Sequence, residues 1–200
     1  MRLTSSELEY SFKEIFKGDT MIKRNLSKGM INLLKSLIGS DLISYECKPL
    51  VNTTYGALRL NTSICSVEIS NLFDDITILG ATEEVSGFKC KKVDSDTLFK
   101  PYGIHDSTVF NLDGRIGSIE IVRDDIAVNS ENYSISFDQA IIIKTDKVTI
   151  MFSRDVWFDE TIVIKYDDNY DDVYSTESAA YALSDYGQYE VDVKRTRIQL

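Results

Sequence analysis

Apolar and polar positions change period along this chain, and the changes mark out its expected elements. Leu8, Phe12, Ile15 and Phe16 fall at i, i+4, i+7 and i+8, one stripe of a helix. Ser6 and Glu9 have capping-box spacing at its start, and Gly18 stands at its end. Met30, Leu33, Leu34, Leu37 and Ile38 repeat the stripe between Ser27 and Gly39. The pattern therefore predicts two helices in residues 1–40.

From Asp41 the period becomes two. Runs at 57–60, Ile64–Ile69, Ile76–Leu79 and Phe88–Val93 alternate or stay apolar, with Asn61-Thr62, Asn71 and Gly87 as punctuation. Residues 83–106, with Gly87, Pro101 and Gly103, are less regular and suggest a long excursion. Asp113-Gly114 lies between apolar runs and predicts a tight hairpin, because both central residues of that turn need positive φ. Thr145-Asp146 predicts another two-residue turn. Alternation at Tyr133–Phe137, Val148–Phe152 and Ile162–Tyr166 completes an antiparallel meander with one buried face. Ser175 or Thr176 can cap a short helix through Ala179, Ala180 and Leu183, and Tyr189–Leu200 reads as a last strand.

The expectation is one α+β domain over residues 1–200. Two N-terminal helices (1–40) pack on a largely antiparallel β-sandwich or open β-barrel (41–166), followed by an acidic segment and final strand (167–200). With 43% hydrophobic and 27% charged residues, the chain can bury a core without metals or disulfides. Glu7, Glu9, Lys13, Glu14 and Lys17 leave no apolar signal core near the start, and no apolar run reaches membrane-spanning length. Cys47, Cys65 and Cys90 are odd in number and widely spaced, which points to a reducing, cytoplasmic setting.

Charge adds one feature. Between Asp155 and Asp192 stand eleven acids and a single base, Lys165, so this segment carries the whole chain's net charge of −10. Six of the eleven tyrosines fall there too. Tyrosines supply contact area and carboxylates steer a basic partner. Asp167, Asp168, Tyr170, Asp171, Asp172 and Tyr174 are therefore the candidate partner-binding residues. The plain alternative is a solvated face that keeps the protein soluble.

Other chemistry is thin. Asp167, Asn169 and Asp171 have calcium-loop spacing, but Asp172 stands where the loop needs Gly and Ser178 where it needs Glu. His105-Asp106 could supply a general base, yet strand neighbours point to opposite faces and no nucleophile motif accompanies them. The neighbouring carboxylates Asp159 and Glu160, beside Trp157, lack the opposed geometry of a glycosidase pair. No dinucleotide, Walker A, HExxH or CxxC motif is present. The acidic balance disfavours nucleic-acid binding.

The sequence thus reads as a non-catalytic intracellular interaction protein, of the inhibitor or immunity type, with a basic protein partner, no cofactor and no metal. Two alternatives stay open: a hydrolase using carboxylates and His105, and a β-barrel for a small ligand.

Overall fold

The computed structural model describes residues 21–78, 81–94, 107–128, 133–155, 158–184 and 190–200. Among these, twelve strands follow one another: β1 (Met21–Arg24), β2 (Asp41–Cys47), β3 (Pro49–Leu50), β4 (Thr53–Tyr55), β5 (Ala57–Thr62), β6 (Ser66–Ile78), β7 (Ala81–Val93), β8 (Thr108–Val128), β9 (Tyr133–Thr145), β10 (Thr149–Arg154), β11 (Thr161–Tyr166) and β12 (Val191–Gln199). Three short helices accompany them: α1 (Lys28–Ser36), α2 (Tyr170–Val173) and α3 (Thr176–Leu183).

The strands form one sheet in the order β3-β4-β11-β10-β9-β8-β2-β5-β6-β7, with β12 added to β8 and β1 to β9. The β1–β9 pairing is parallel; the other pairings are antiparallel.

The expected α+β domain, with two N-terminal helices on a sandwich or open barrel, is therefore overturned: the fold is mostly antiparallel sheet with three short helices. In the N-terminal part, residues 21–24 form a strand because they find partners in Ser134–Phe137 of β9. Only the second apolar stripe forms a helix among the described residues; the first, at 8–16, lies outside them. Ser27 caps the start of α1 by accepting from Met30 N, and Leu34 within it and Leu37 at its C-terminal end are fully buried.

The 21-residue strand β8 joins the two halves of the sheet. Its first part (108–115) pairs with β2, and its second (116–128) with β9. The Asp-Gly signal falls at this junction. Asp113 does take positive φ, at 60°, but the chain continues in the same strand. The register against β2 shifts here, so the residue that could have turned a hairpin makes an irregularity in a continuous ladder. Gly114 is required by contact: a Cβ there would come 2.6 Å from Thr145 Oγ1. The predicted Thr145 turn does form, with Thr145 N donating to Val148 O at 2.9 Å.

The main core draws on both halves. Leu42, Tyr45, Leu58, Leu60, Ile69 and Phe88 cluster with Ile119, Ile121, Ile141, Ile143, Phe152 and Ile164. Backbone and side-chain hydrogen bonds also fasten β6 and the entry to β5 to the residues leading into β11. Gly56 N donates to Glu160 O (3.0 Å), Phe73 N to Glu160 Oε1 (3.0 Å), and Asn71 Nδ2 to Asp159 O (2.9 Å). Asn71 and Gly87, read as turn residues, both lie within long strands. Asn71 is fully buried on these carbonyls, and Gly87 leaves room for the Arg24 guanidinium, 3.1–3.3 Å from where its Cβ would be.

All three cysteines are free thiols. Burial pushes the Cys47 thiol up to about 11 and, with the Asp138 carboxylate, the Cys90 thiol up to about 12. Cys65 is only partly buried. Because thiolate is the reactive form, a disulfide reagent at pH 8 should titrate Cys65 quickly and the other two only on unfolding. Rapid reaction of two or three thiols in the native protein would contradict this placement.

Candidate binding site

The acidic segment begins where β11 ends. Asp167 takes positive φ, 53°, and continues the pairing with β10: its N donates to Thr149 O and its Oδ1 accepts from Thr149 N, each at 2.9 Å. Asp168 and Asn169 are exposed, and α2 follows as a single turn. Tyr170 turns inward. It is 1% exposed and covers Val122, Ala140, Ile142 and Met151, with Tyr174 packed against it, ring to ring at 6.4 Å. Burial pushes the Tyr170 phenol well above its usual range.

Two arginines of β12 hold this turn. The Arg195 guanidinium lies 4.6 Å from the Tyr170 ring centroid. Its Nε and Nη2 donate to the two oxygens of buried Asp124 at 2.8 and 2.7 Å, and its Nη1 to Asp171 Oδ1 (2.9 Å) and Tyr174 O (2.6 Å). Arg197 donates to Glu120, to Asp171 Oδ2 (2.7 Å) and to Asn169 Oδ1 (3.3 Å). Burial alone would raise the Asp171 carboxyl, but the hydrogen bonds from Arg195 and Arg197 outweigh it and hold it below the usual range.

The six candidates therefore separate by location. Tyr170 is buried, Tyr174 is half-buried, and Asp171 is tied to two arginines. Asp167, Asp168 and Asp172 are exposed, and among the described residues no base forms a salt bridge with them. The sequence offered no sign of the Arg195–Asp124 pair, whose members stand 71 residues apart. The three residues with calcium-loop spacing, Asp167, Asn169 and Asp171, each engage protein donors. No group of His, Cys, Asp and Glu among the described residues is arranged to hold a metal ion.

On the main-core face of the sheet, opposite the face that Tyr170 covers, lies a cleft of about 200 Å³, lined in part by Tyr45, Cys47, Thr53, Phe110, Ile164 and Tyr166. Tyr45 stacks on Phe110 with centroids 4.7 Å apart, and Tyr166 Oη donates to Tyr45 Oη at 2.7 Å. The cleft is smaller than the roughly 300–1,000 Å³ of drug-sized ligand sites and suits a single side chain. Tyr166 forms part of its wall, and Asp167 and Asp168 follow directly in the chain.

The carboxylates weighed as catalytic hold structure. Asp159 Oδ1 accepts from Thr161 N and Oγ1, both at 2.6 Å, and Glu160 serves Phe73 N. His105 and Trp157 lie outside the described residues. No described helix is long and apolar enough to cross a membrane. Comparisons with known protein families, curated proteins and solved structures find no match.

Proposed function

We propose that this chain is a non-catalytic interaction protein that docks a basic protein through Asp167, Asp168 and Asp172. The observation that carries this reading is the uneven use of charge. Arg195 and Arg197 are spent on Asp124, Glu120 and Asp171, leaving the three other aspartates facing water unneutralised. Tyr170 and Tyr174 then act as the platform holding the acidic turn against the sheet. An inhibitor or immunity-type role belongs to this proposal, as does an intracellular setting, which the three free thiols support.

The test compares wild type with the triple variant Asp167→Asn, Asp168→Asn, Asp172→Asn against a partner captured by the wild-type protein. Exposed charges act mainly on encounter. The variant should keep its melting temperature but associate about tenfold more slowly at low salt. The gap should close as salt shortens the Debye length. An unchanged association rate at low salt would end the docking proposal.

A further inference from the structure

Arg154, the last residue of β10, is 2% exposed. Its guanidinium lies 4.8 Å from the centroid of the Phe137 ring, and its Nη2 donates to Ser86 Oγ at 3.0 Å. Its other two nitrogens, Nε and Nη1, are sealed from solvent and have no acceptor among the described residues. A guanidinium carries five N–H donors and no acceptor, so most of its hydrogen-bonding capacity is unused.

No carboxylate fills the gap among the described residues. Asp138 is within electrostatic range, but its oxygens are taken: Oδ1 by Arg123 Nε at 2.7 Å, Oδ2 by Leu26 N at 2.7 Å and Arg123 Nη2 at 3.3 Å. The next charge is another cation. Arg24, committed to Asp74 and to the carbonyls of Leu72 and Val85, has its own Nε buried and unpartnered. Burial, then repulsion from Arg24, push the Arg154 guanidinium down to about 10, which leaves it charged at neutral pH. Tyr170 Oη, also buried without a partner, lies within electrostatic range of the same group. A buried cation with idle donors and no carboxylate bonded to it is an unfavourable arrangement for an interior to hold.

We propose that Arg154 is the centre of an enclosed oxyanion-binding site, in which a small anion accepts from its Nε and Nη1 while Ser86 fixes the guanidinium through Nη2. The anion is a structural ligand of the folded state. Phosphate, sulfate and a carboxylate share the required chemistry. The site is separate from the acidic surface and does not depend on its docking a partner.

A ligand bound only by the folded state raises stability with its concentration. The protein is unfolded and refolded in chloride buffer, then melted over a series of inorganic phosphate concentrations at fixed ionic strength, with sulfate and acetate series in parallel. The midpoint should climb with the logarithm of the anion concentration, by roughly 5–10 °C at a hundredfold excess over the dissociation constant. A response to phosphate and sulfate alone identifies a tetrahedral anion; a response to acetate alone identifies a carboxylate. Flat midpoints in all three series overturn the proposal. Arg154→Met should abolish the dependence, and a variant that keeps it overturns the assignment. A measurement on wild type guards against a variant that does not fold. The Arg154 Nε–H resonance, assigned by through-bond correlation along its own side chain, should shift with the responding anion; a stabilised protein in which it stays fixed also refutes the site.

Discussion

Replacing Arg195 with methionine should lower stability by about 3–5 kcal/mol, the range for breaking a buried pair and stranding one charge. Asp124 is fully buried and Arg195 is 7% exposed at its side chain, so water cannot take the place of the lost partner. The same substitution removes the cation above the Tyr170 ring and one of the two ties to Asp171. Arg197→Met is the control. Its side chain is 35% exposed, so water can reach the partners it leaves, Glu120 at 10% and Asp171 at 49%, and its loss should be smaller. Urea unfolding of both variants measures the contrast. A double variant, Arg195→Met with Asp124→Leu, should recover most of the loss, since an apolar pair can replace a buried ionic one. Equal losses for Arg195→Met and Arg197→Met would show that burial does not set the worth of these pairs.

Phe152→Ala should cost a similar amount, about 3–5 kcal/mol, for a different reason. Phe152 is fully buried in the core between the two halves of the sheet and meets Tyr45 edge-on at 5.9 Å. Strands fixed in ladders on both sides close a vacated volume poorly, so the cavity persists. Phe152→Leu, which keeps most of the volume, should lose under about 1.5 kcal/mol. Denaturant midpoints for the two variants test this, and equal losses would show that the space left by the ring is not the determining factor.

What the sequence made legible follows the range of the interactions involved. The helix start at Ser27, the cap at Ser175, the turn at Thr145 and the alternation of β11 rest on residues a few positions apart, and each appears where it was read; β10 does not alternate, because Tyr170 covers Met151 on its second face. Asp113-Gly114 shows the limit. Its positive φ was legible, but whether such a residue turns the chain or kinks a continuing strand depends on Thr145 and β2, far away in sequence. Residues 21–24 became a strand for the same kind of reason, because their pairing partners lie more than 100 positions on. The acidic segment could be located by composition. Which of its members face water could not, because Arg195 and Arg197 decide that from β12.

The placement of β12 on β8 also governs how the chain reaches this structure. β6 with β7, β8 with β9, and β9 with β10 join neighbouring stretches and can form early. β12 must find β8 across about 70 positions, and β1 must find β9 across more than 100. Such closures spend chain entropy before any contact rewards them, and non-local pairings of this kind slow folding. Until β12 arrives, the ladder edge of β8 from Glu120 to Val128 stands open beside an Asp124 that has no counter-charge. An open edge can pair with another chain. Refolding yield should therefore fall as protein concentration rises, and a peptide with the β12 sequence, added during refolding, should compete for that edge.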